Sequence, residues 1–209
     1  YLYQGNSSGV STVAAWSSEV DQDNAYFGHA VAAVGDVNKD GFGDVVIGAY
    51  GYSNGHAGEG RIYGYYGSQS GLPASPSVIM ESNQVAAEFG YAVAYAGDVN
   101  KDTYSDIIVG APGYDNGEVD EGYAVVYYGS TAGINPTPGL TFESNQAGGN
   151  MGVAVAGNGS LDPDAYAIVI IGVELFERTQ IDAERPFTHR TPPHPPGLPY
   201  NPAAGLHNT

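Results

Sequence analysis

The 209 residues carry 23 acidic against 6 basic side chains, a formal charge of −17, and that balance excludes a nucleic-acid binder, which needs clustered Lys and Arg to neutralise phosphate. Cysteine is absent, so a disulfide framework, a thiolate metal site and a thiol nucleophile are excluded as well. No apolar run approaches the ~20 residues of a membrane-crossing helix, and the opening Tyr1-Leu2-Tyr3-Gln4-Gly5 lacks the basic start of a signal peptide, as in a mature or trimmed piece.

The first eleven residues read as the end of a unit. Tyr1 to Val10 share the pattern of Tyr63-Gly64-Tyr65-Tyr66-Gly67-Ser68-Gln69-Ser70-Gly71-Leu72, 62 positions on, and a third copy runs from Val125 to Ile134. A fixed interval of this size marks a repeat array, in which each unit buries its apolar faces against its neighbours. The chain thus begins in mid-repeat, either as a segment of a longer array or with a strand that completes a unit begun at its other end.

Residues 12–73 form the first full unit. Trp16, Val20 and an Asp-rich approach, Asp21-Gln22-Asp23-Asn24, lead to Phe27-Gly28 and a small apolar stretch, His29 to Val34. The loop Asp36-Val37-Asn38-Lys39-Asp40-Gly41-Phe42-Gly43-Asp44 follows. Its first, third, fifth and ninth positions, Asp36, Asn38, Asp40 and Asp44, all end in oxygen, and the backbone carbonyl of Phe42 is available at the seventh. Ca²⁺ takes about 6–8 oxygens and is served by loops of this spacing, whereas Mg²⁺ keeps its waters and demands a tighter octahedron. No Cys or His lies in the loop, which disfavours transition metals. The competing reading is a solvated Asp/Asn/Gly turn, since these residues favour turns in any case. Three carboxylates this close repel one another without a cation, which supports the metal reading. The next residues, Val45-Val46-Ile47-Gly48-Ala49, are short, β-branched and Gly-bounded, the signature of a strand. The loop therefore joins two strands of a hairpin, with no room for the helices of an EF-hand. An outer hairpin from Tyr50 to Tyr66 encloses a Gly/Asn-rich link at Ser53–His56.

Residues 74–135 repeat this plan. Phe89-Gly90 precede Tyr91 to Ala96, then Asp98, Asn100, Asp102 and Asp106 take the four side-chain positions, with the carbonyl of Tyr104 at the seventh and the strand Ile107-Ile108-Val109-Gly110-Ala111 after them. The link here, Asp115 to Gly122, is markedly acidic. It reads either as a second cation or ligand contact or as a solvated loop.

Residues 136–172 begin a third unit that decays. Asn145-Gln146 and Met151-Gly152 keep the frame, with Met where Phe stood. The third loop has Ser160 and Ile168 in place of Asp at the first and ninth positions and is expected to bind Ca²⁺ weakly or not at all. From Val173 the likeness stops. Arg178, Arg185 and Arg190 and seven Pro between Pro186 and Pro202 occupy residues 173–209. Pro cannot donate to a ladder, so this tail reads as extended or polyproline-like, a Pro-rich ligand for another protein, or a segment of unrelated origin.

Phe27-Gly28, the Asp loop and Val46-Ile47-Gly48-Ala49-Tyr50, repeated as Phe89-Gly90 through Val109-Gly110-Ala111-Pro112, resemble the FG-GAP repeats of the integrin α-subunit type β-propeller. The resemblance covers residues 1–172. It implies an all-β fold of propeller blades, two full and others partial, with Ca²⁺ bound between two strands of a blade, and an extracellular or cell-surface setting. Propellers close with about 4–8 blades, so a single-chain ring is not expected from these residues, and the terminal blades are candidates for self-association.

The leading expectation is a non-catalytic module for adhesion, protein or glycan binding, or self-assembly. The alternative is an accessory or catalytic propeller acting on polysaccharide or phospholipid, as some relatives of the repeat do. No G-x-S-x-G elbow is present. His29 aligns with Tyr91 and is expected in a half-buried strand; His56 is expected to face solvent. Tyr63, Tyr65 and Tyr66 read as strand packing rather than as a ligand face.

Overall fold

The apolar runs of this chain are short, rich in Val, Ile and Ala, and punctuated by Gly, and each becomes a strand. A computed structural model describes residues 1–158 and 167–174. Among them no helix occurs, and the fold is all-β.

The first complete sheet has four antiparallel strands in sequence order: β3 (Ala30–Gly35), β4 (Asp44–Ala49), β5 (Arg61–Tyr65) and β6 (Val78–Glu81). The second repeats it with β7 (Ala92–Gly97), β8 (Asp106–Ala111), β9 (Tyr123–Tyr127) and β10 (Leu140–Glu143). Registers agree pair for pair. Ala30 faces Gly48 where Ala92 faces Gly110, and both first hairpins slip by one residue beside their loop, between Ala33 and Gly35 and between Tyr95 and Gly97. A third unit contributes the hairpin β11 (Val155–Asn158) and β12 (Ile168–Ile171). These sheets are propeller blades, two complete and the rest partial.

A small hairpin, β1 (Gly5–Asn6) with β2 (Gly9–Val10), opens the chain. Leu2 bridges Trp16, the pairing that Gly64 makes with Val78 on the β5–β6 ladder. Residues 1–16 thus keep the frame of the third and fourth strands of a blade. The sequence period and the sheets are out of phase: an interval cut at residue 73 separates β6 from the other three strands of its sheet.

Both faces of the central strands are buried, and alternate residues serve different cores. Val46 and Ile62 on one face of the first blade meet Phe89, Ile107, Val109, Val125 and Tyr127 of the second. Ile108, Ala124 and Val126, on the second blade's other face, meet Val155, Val169 and Ile171 of the third. Ile47, Ala49, Tyr63 and Tyr65 pack with Trp16, Val20, Phe27 and Leu72, so Tyr63 and Tyr65 are packing residues as expected. The inner strands β3, β7 and β11 are neighbours, and their small side chains permit that approach.

The Phe-Gly pairs set the spacing between blades. Gly60 forms a parallel bridge with Phe89, and Gly122 does so with Met151. Gly48 admits no side chain, because a Cβ there would lie 2.0 Å from the Gly90 carbonyl oxygen; Gly110 meets Gly152 in the same way. Met151 therefore does the work of Phe89, as its place in the frame implied.

His29 departs from expectation. It lies in an exposed bend before β3, because Gly28 takes a positive φ of 86° and the His29 N–H donates to the Tyr26 carbonyl at 3.0 Å. That closed turn delays the strand to Ala30. The third loop, Ser160 to Ile168, falls outside the described residues except for Ala167 and Ile168, and so does the tail beyond residue 174.

Candidate functional site

Each Asp loop is the turn of the first hairpin of its blade, between β3 and β4 or between β7 and β8. The two copies agree bond for bond. Asp36 accepts from the Asp40 N–H at 3.0 Å and from the Gly41 N–H at 2.8 Å; Asp98 accepts from Asp102 and Thr103 at the same distances. Asn38 and Asn100 each accept from the amide two residues on, at 3.0 Å. Asp40 accepts from the Phe42 N–H and Asp102 from the Tyr104 N–H, both at 2.9 Å. These are Asx-type turns, in which a short side chain caps its own backbone. Lys39 and Lys101 are left-handed at φ of 60° and 61°, which turns the loop back on itself.

The ninth-position carboxylates behave differently from the rest. Asp44 is buried and binds two separate segments, accepting from the Val37 N–H and the Gly67 N–H at 2.8 Å each. Asp106 does the same with Val99 at 2.7 Å and Gly129 at 2.9 Å. Burial pushes the Asp106 carboxyl up to about 6, against the lowering effect of its two backbone hydrogen bonds, and raises Asp44 in the same direction. The acids at the first and fifth loop positions add to both shifts. Sequence reasoning named four side chains in each loop; the structure places them in one hairpin turn, where their oxygens cap backbone amides. It did not foresee that the ninth one also fastens the loop to the end of the third strand.

Neighbouring loops brace each other. Lys39 Nζ donates to Thr103 Oγ1 at 2.5 Å and lies 5.7 Å from the Tyr104 ring centroid. The Ser105 Oγ accepts from the Asp36 N–H at 3.2 Å, and Ser105 N–H donates to the Asp36 carbonyl.

The donor set of each loop consists of oxygen alone, and a carboxylate oxygen that accepts one N–H keeps a second lone pair. The residues therefore suit a hard, oxygen-seeking cation. Among the described residues no group of three or more Asp, Glu, His or Cys side chains is arranged to hold a metal ion. In this structure the loops are shaped by their amide hydrogen bonds.

Two further features went unnoticed in the sequence. Glu59 and Glu121, each followed by Gly in the outer link of its blade, are fully buried. The next blade's Phe89 or Met151 turn lies against them, donating its N–H to the Glu59 or Glu121 carbonyl at 3.1 and 3.0 Å. The exact spacing of the two Glu-Gly pairs was the available signal. A surface cluster of rings also forms, with His29 4.7 Å from Tyr50 and 5.0 Å from Tyr91, and Tyr26 stacked on Tyr50 at 4.7 Å. His56 is exposed on its link but reaches back to Glu59, with its Nδ1 3.3 Å from Oε2.

Comparison with known proteins agrees with this geometry. The FG-GAP repeat profile matches residues 27–65 and 89–127, the first three strands of each complete blade. Integrin alpha-6 of Gallus gallus is 35% identical over 161 residues, which cover 77% of this chain and 14% of that protein. Integrin alpha-IIb of Mus musculus is 33% identical over 178 residues, covering 82% of this chain and 17% of its own length. Phosphatidylinositol-glycan-specific phospholipase D of Rattus norvegicus is 38% identical over 137 residues, 60% of this chain and 16% of that protein. The chain spans less than a fifth of the length of these relatives. It carries two FG-GAP repeats, and it is similar to integrin α subunits over most of its length.

Proposed function

We propose that this chain is a non-catalytic, extracellular propeller module, stabilised by Ca²⁺, that serves adhesion, protein or glycan binding, or self-assembly. The observation that carries the reading is the bond-for-bond identity of the two oxygen-lined loops at the same hairpin of successive FG-GAP blades. Asp36, Asn38, Asp40, Asp44 and the Phe42 carbonyl would hold one ion, and Asp98, Asn100, Asp102, Asp106 and the Tyr104 carbonyl the other. When bound, the ion offsets the repulsion among the loop carboxylates and ties the two inner strands together. The chain's own residues do the rest: the Asx turns preset the loop, and Asp44 and Asp106 anchor it to Gly67 and Gly129.

Two surfaces support a binding role. The Tyr26, His29, Tyr50 and Tyr91 rings make a shared aromatic face, suited to protein or sugar contact. The first blade's outer face carries Val31 at 60% exposure, whereas its counterpart Val93 packs into the core between blades. That face suits another blade, supplied by a second copy of this chain. Light scattering with and without chelator tests the association; a monomer at all concentrations in both conditions would sink it.

The phospholipase D relative favours a second reading, an accessory or catalytic propeller acting on phospholipid or polysaccharide. A panel of esters and glycans assayed with and without Ca²⁺ separates the two. Turnover abolished by one carboxylate substitution outside both loops would establish the enzyme, and no turnover across the panel is the result expected here.

A further inference from the structure

Glu59 and Glu121 are equivalent, 62 residues apart, and both are fully buried. Their main chains are held alike: Ser82 Oγ donates to the Glu59 carbonyl and Ser144 Oγ to the Glu121 carbonyl, each at 2.7 Å. Their carboxylates are not. Glu59 accepts from the Asn54 N–H and lies against the His56 imidazole. Neither carboxylate oxygen of Glu121 has a hydrogen-bond partner among the described residues.

A second carboxylate in each blade follows the same course. Glu81 pairs with Arg61, whose guanidinium lies 3.6 Å from the Tyr52 ring centroid. Among the described residues the carboxylate of its counterpart Glu143 accepts from Asn116 Nδ2 alone, at 3.0 and 3.1 Å, just as Glu81 accepts from Asn54. The repeat frame explains the difference. Glu118 stands where His56 does, and Tyr123 stands where Arg61 does. At these two positions both basic partners are lost and an acid is gained, and the link gains Asp115 and Asp120 where the first blade has Ser53 and Gly58. The site changes from two acids with two bases to three acids. A fully buried carboxylate without a countercharge is strongly unfavourable, and no Lys, Arg or His replaces the lost pair within the link.

We propose that Glu121 anchors a third cation site, distinct from the two Asp loops, in which a hard divalent cation takes the role that His56 and Arg61 play in the first blade. Glu121 supplies the buried, preplaced carboxylate. Glu143 stands on β10 opposite Tyr123, two residues past Glu121, and Asn116 ties it to the same link. The three acids do not converge in this structure; Glu118 is exposed, and rotation of its side chain closes the site over the ion. All the donors are oxygens, which selects Ca²⁺ over zinc or copper. The site does not depend on the loops, so it stands or falls separately from them.

The test uses the full chain, Ca²⁺ as the probe, equilibrium dialysis to count bound ions, and thermal unfolding in Ca²⁺ and in EDTA. Glu121→Gln should bind one Ca²⁺ fewer than the parent chain. It should also melt higher than the parent in EDTA, where the unpaired charge is gone, and lower in Ca²⁺. An unchanged ion count, or a shift of the same sign in both conditions, overturns the proposal and leaves Glu121 a buried structural acid. A second variant, Glu118→His, installs the first blade's imidazole at the exposed position while leaving Glu121 and the buried Tyr123 in place. It too should lose one ion, and retention of the parental count would refute the site even if Glu121→Gln failed to fold. Asp40→Ala with Asp102→Ala separates the two ideas: this variant should keep one ion through Glu121, and it would keep the full parental count if the loops bind none.

Discussion

Removal of Asp40 isolates what an ion contributes to one blade. In the absence of metal, the Asp40 side chain makes two exposed hydrogen bonds, accepting from the Phe42 N–H and from Asn38 Nδ2, each at 2.9 Å. Asp40→Ala should therefore cost about 0.5–1 kcal/mol in EDTA, the net worth of ordinary hydrogen bonds. With Ca²⁺ at a hundred times its dissociation constant, an intact site adds about 2.7 kcal/mol through binding to the folded state alone. Loss of that site raises the cost to about 3–4 kcal/mol. For a chain of this size each kcal/mol moves the midpoint by roughly 2–4 °C. The midpoint should thus fall by roughly 1–4 °C in EDTA and by roughly 6–16 °C in Ca²⁺. Circular dichroism melts of parent and variant in both buffers measure it, and Asp102→Ala should behave alike. A drop of equal size with and without Ca²⁺ would refute the metal role of this loop.

Other expectations rest on packing alone. Gly48→Ala and Gly110→Ala should each destabilise by about 3 kcal/mol, since the new methyl meets backbone of the next blade at 2.0 Å; Gly5→Ala, with nothing within 4 Å, should stay within about 0.5 kcal/mol. Urea titration of the three variants decides, and a neutral Gly110→Ala would contradict the blade contact. Thr103 adopts a φ of 78° where the first loop has Gly41 at 94°, so Thr103→Gly should stabilise by about 0.5–1 kcal/mol, the relief of left-handed strain less the entropy of glycine. A lower urea midpoint for Thr103→Gly would show that the hydrogen bond from Lys39 outweighs that strain. Tyr66→Phe removes the acceptor for the Ile134 N–H at 2.8 Å and should cost about 1–2 kcal/mol; amide exchange at Ile134, read by NMR, should quicken, and unchanged protection there would disprove the assignment.

Much of this was legible because the repeat writes each feature twice. Val46-Ile47-Gly48 and Ile108-Val109-Gly110 are strands on composition alone, and the Asp loops betray their place by lying between such runs. The metal-type loop was read from side-chain oxygens, yet the inward role of Asp44 depends on Gly67, 23 residues away, and no local pattern reports that. The fourth strands, Val78–Glu81 and Leu140–Glu143, are short and flanked by Ser and Pro, so the ladder with β5 and β9 decides them. His29 was misplaced because its neighbours are apolar while a glycine turn holds it outside the strand. Glu59 drew no reading, and Glu121 lay in a link that read either as a ligand contact or as a solvated loop; the turn of the following blade buries both, an effect of stacking that periodicity within one unit does not contain.

Crystals of the chain grown in Ca²⁺ offer the most direct test, through an anomalous difference map collected at long wavelength. The account predicts one peak inside each hairpin turn, ringed by Asp36, Asn38, Asp40 and Asp44 in the first blade and by Asp98, Asn100, Asp102 and Asp106 in the second. Well-ordered turns with no peak in either would contradict it.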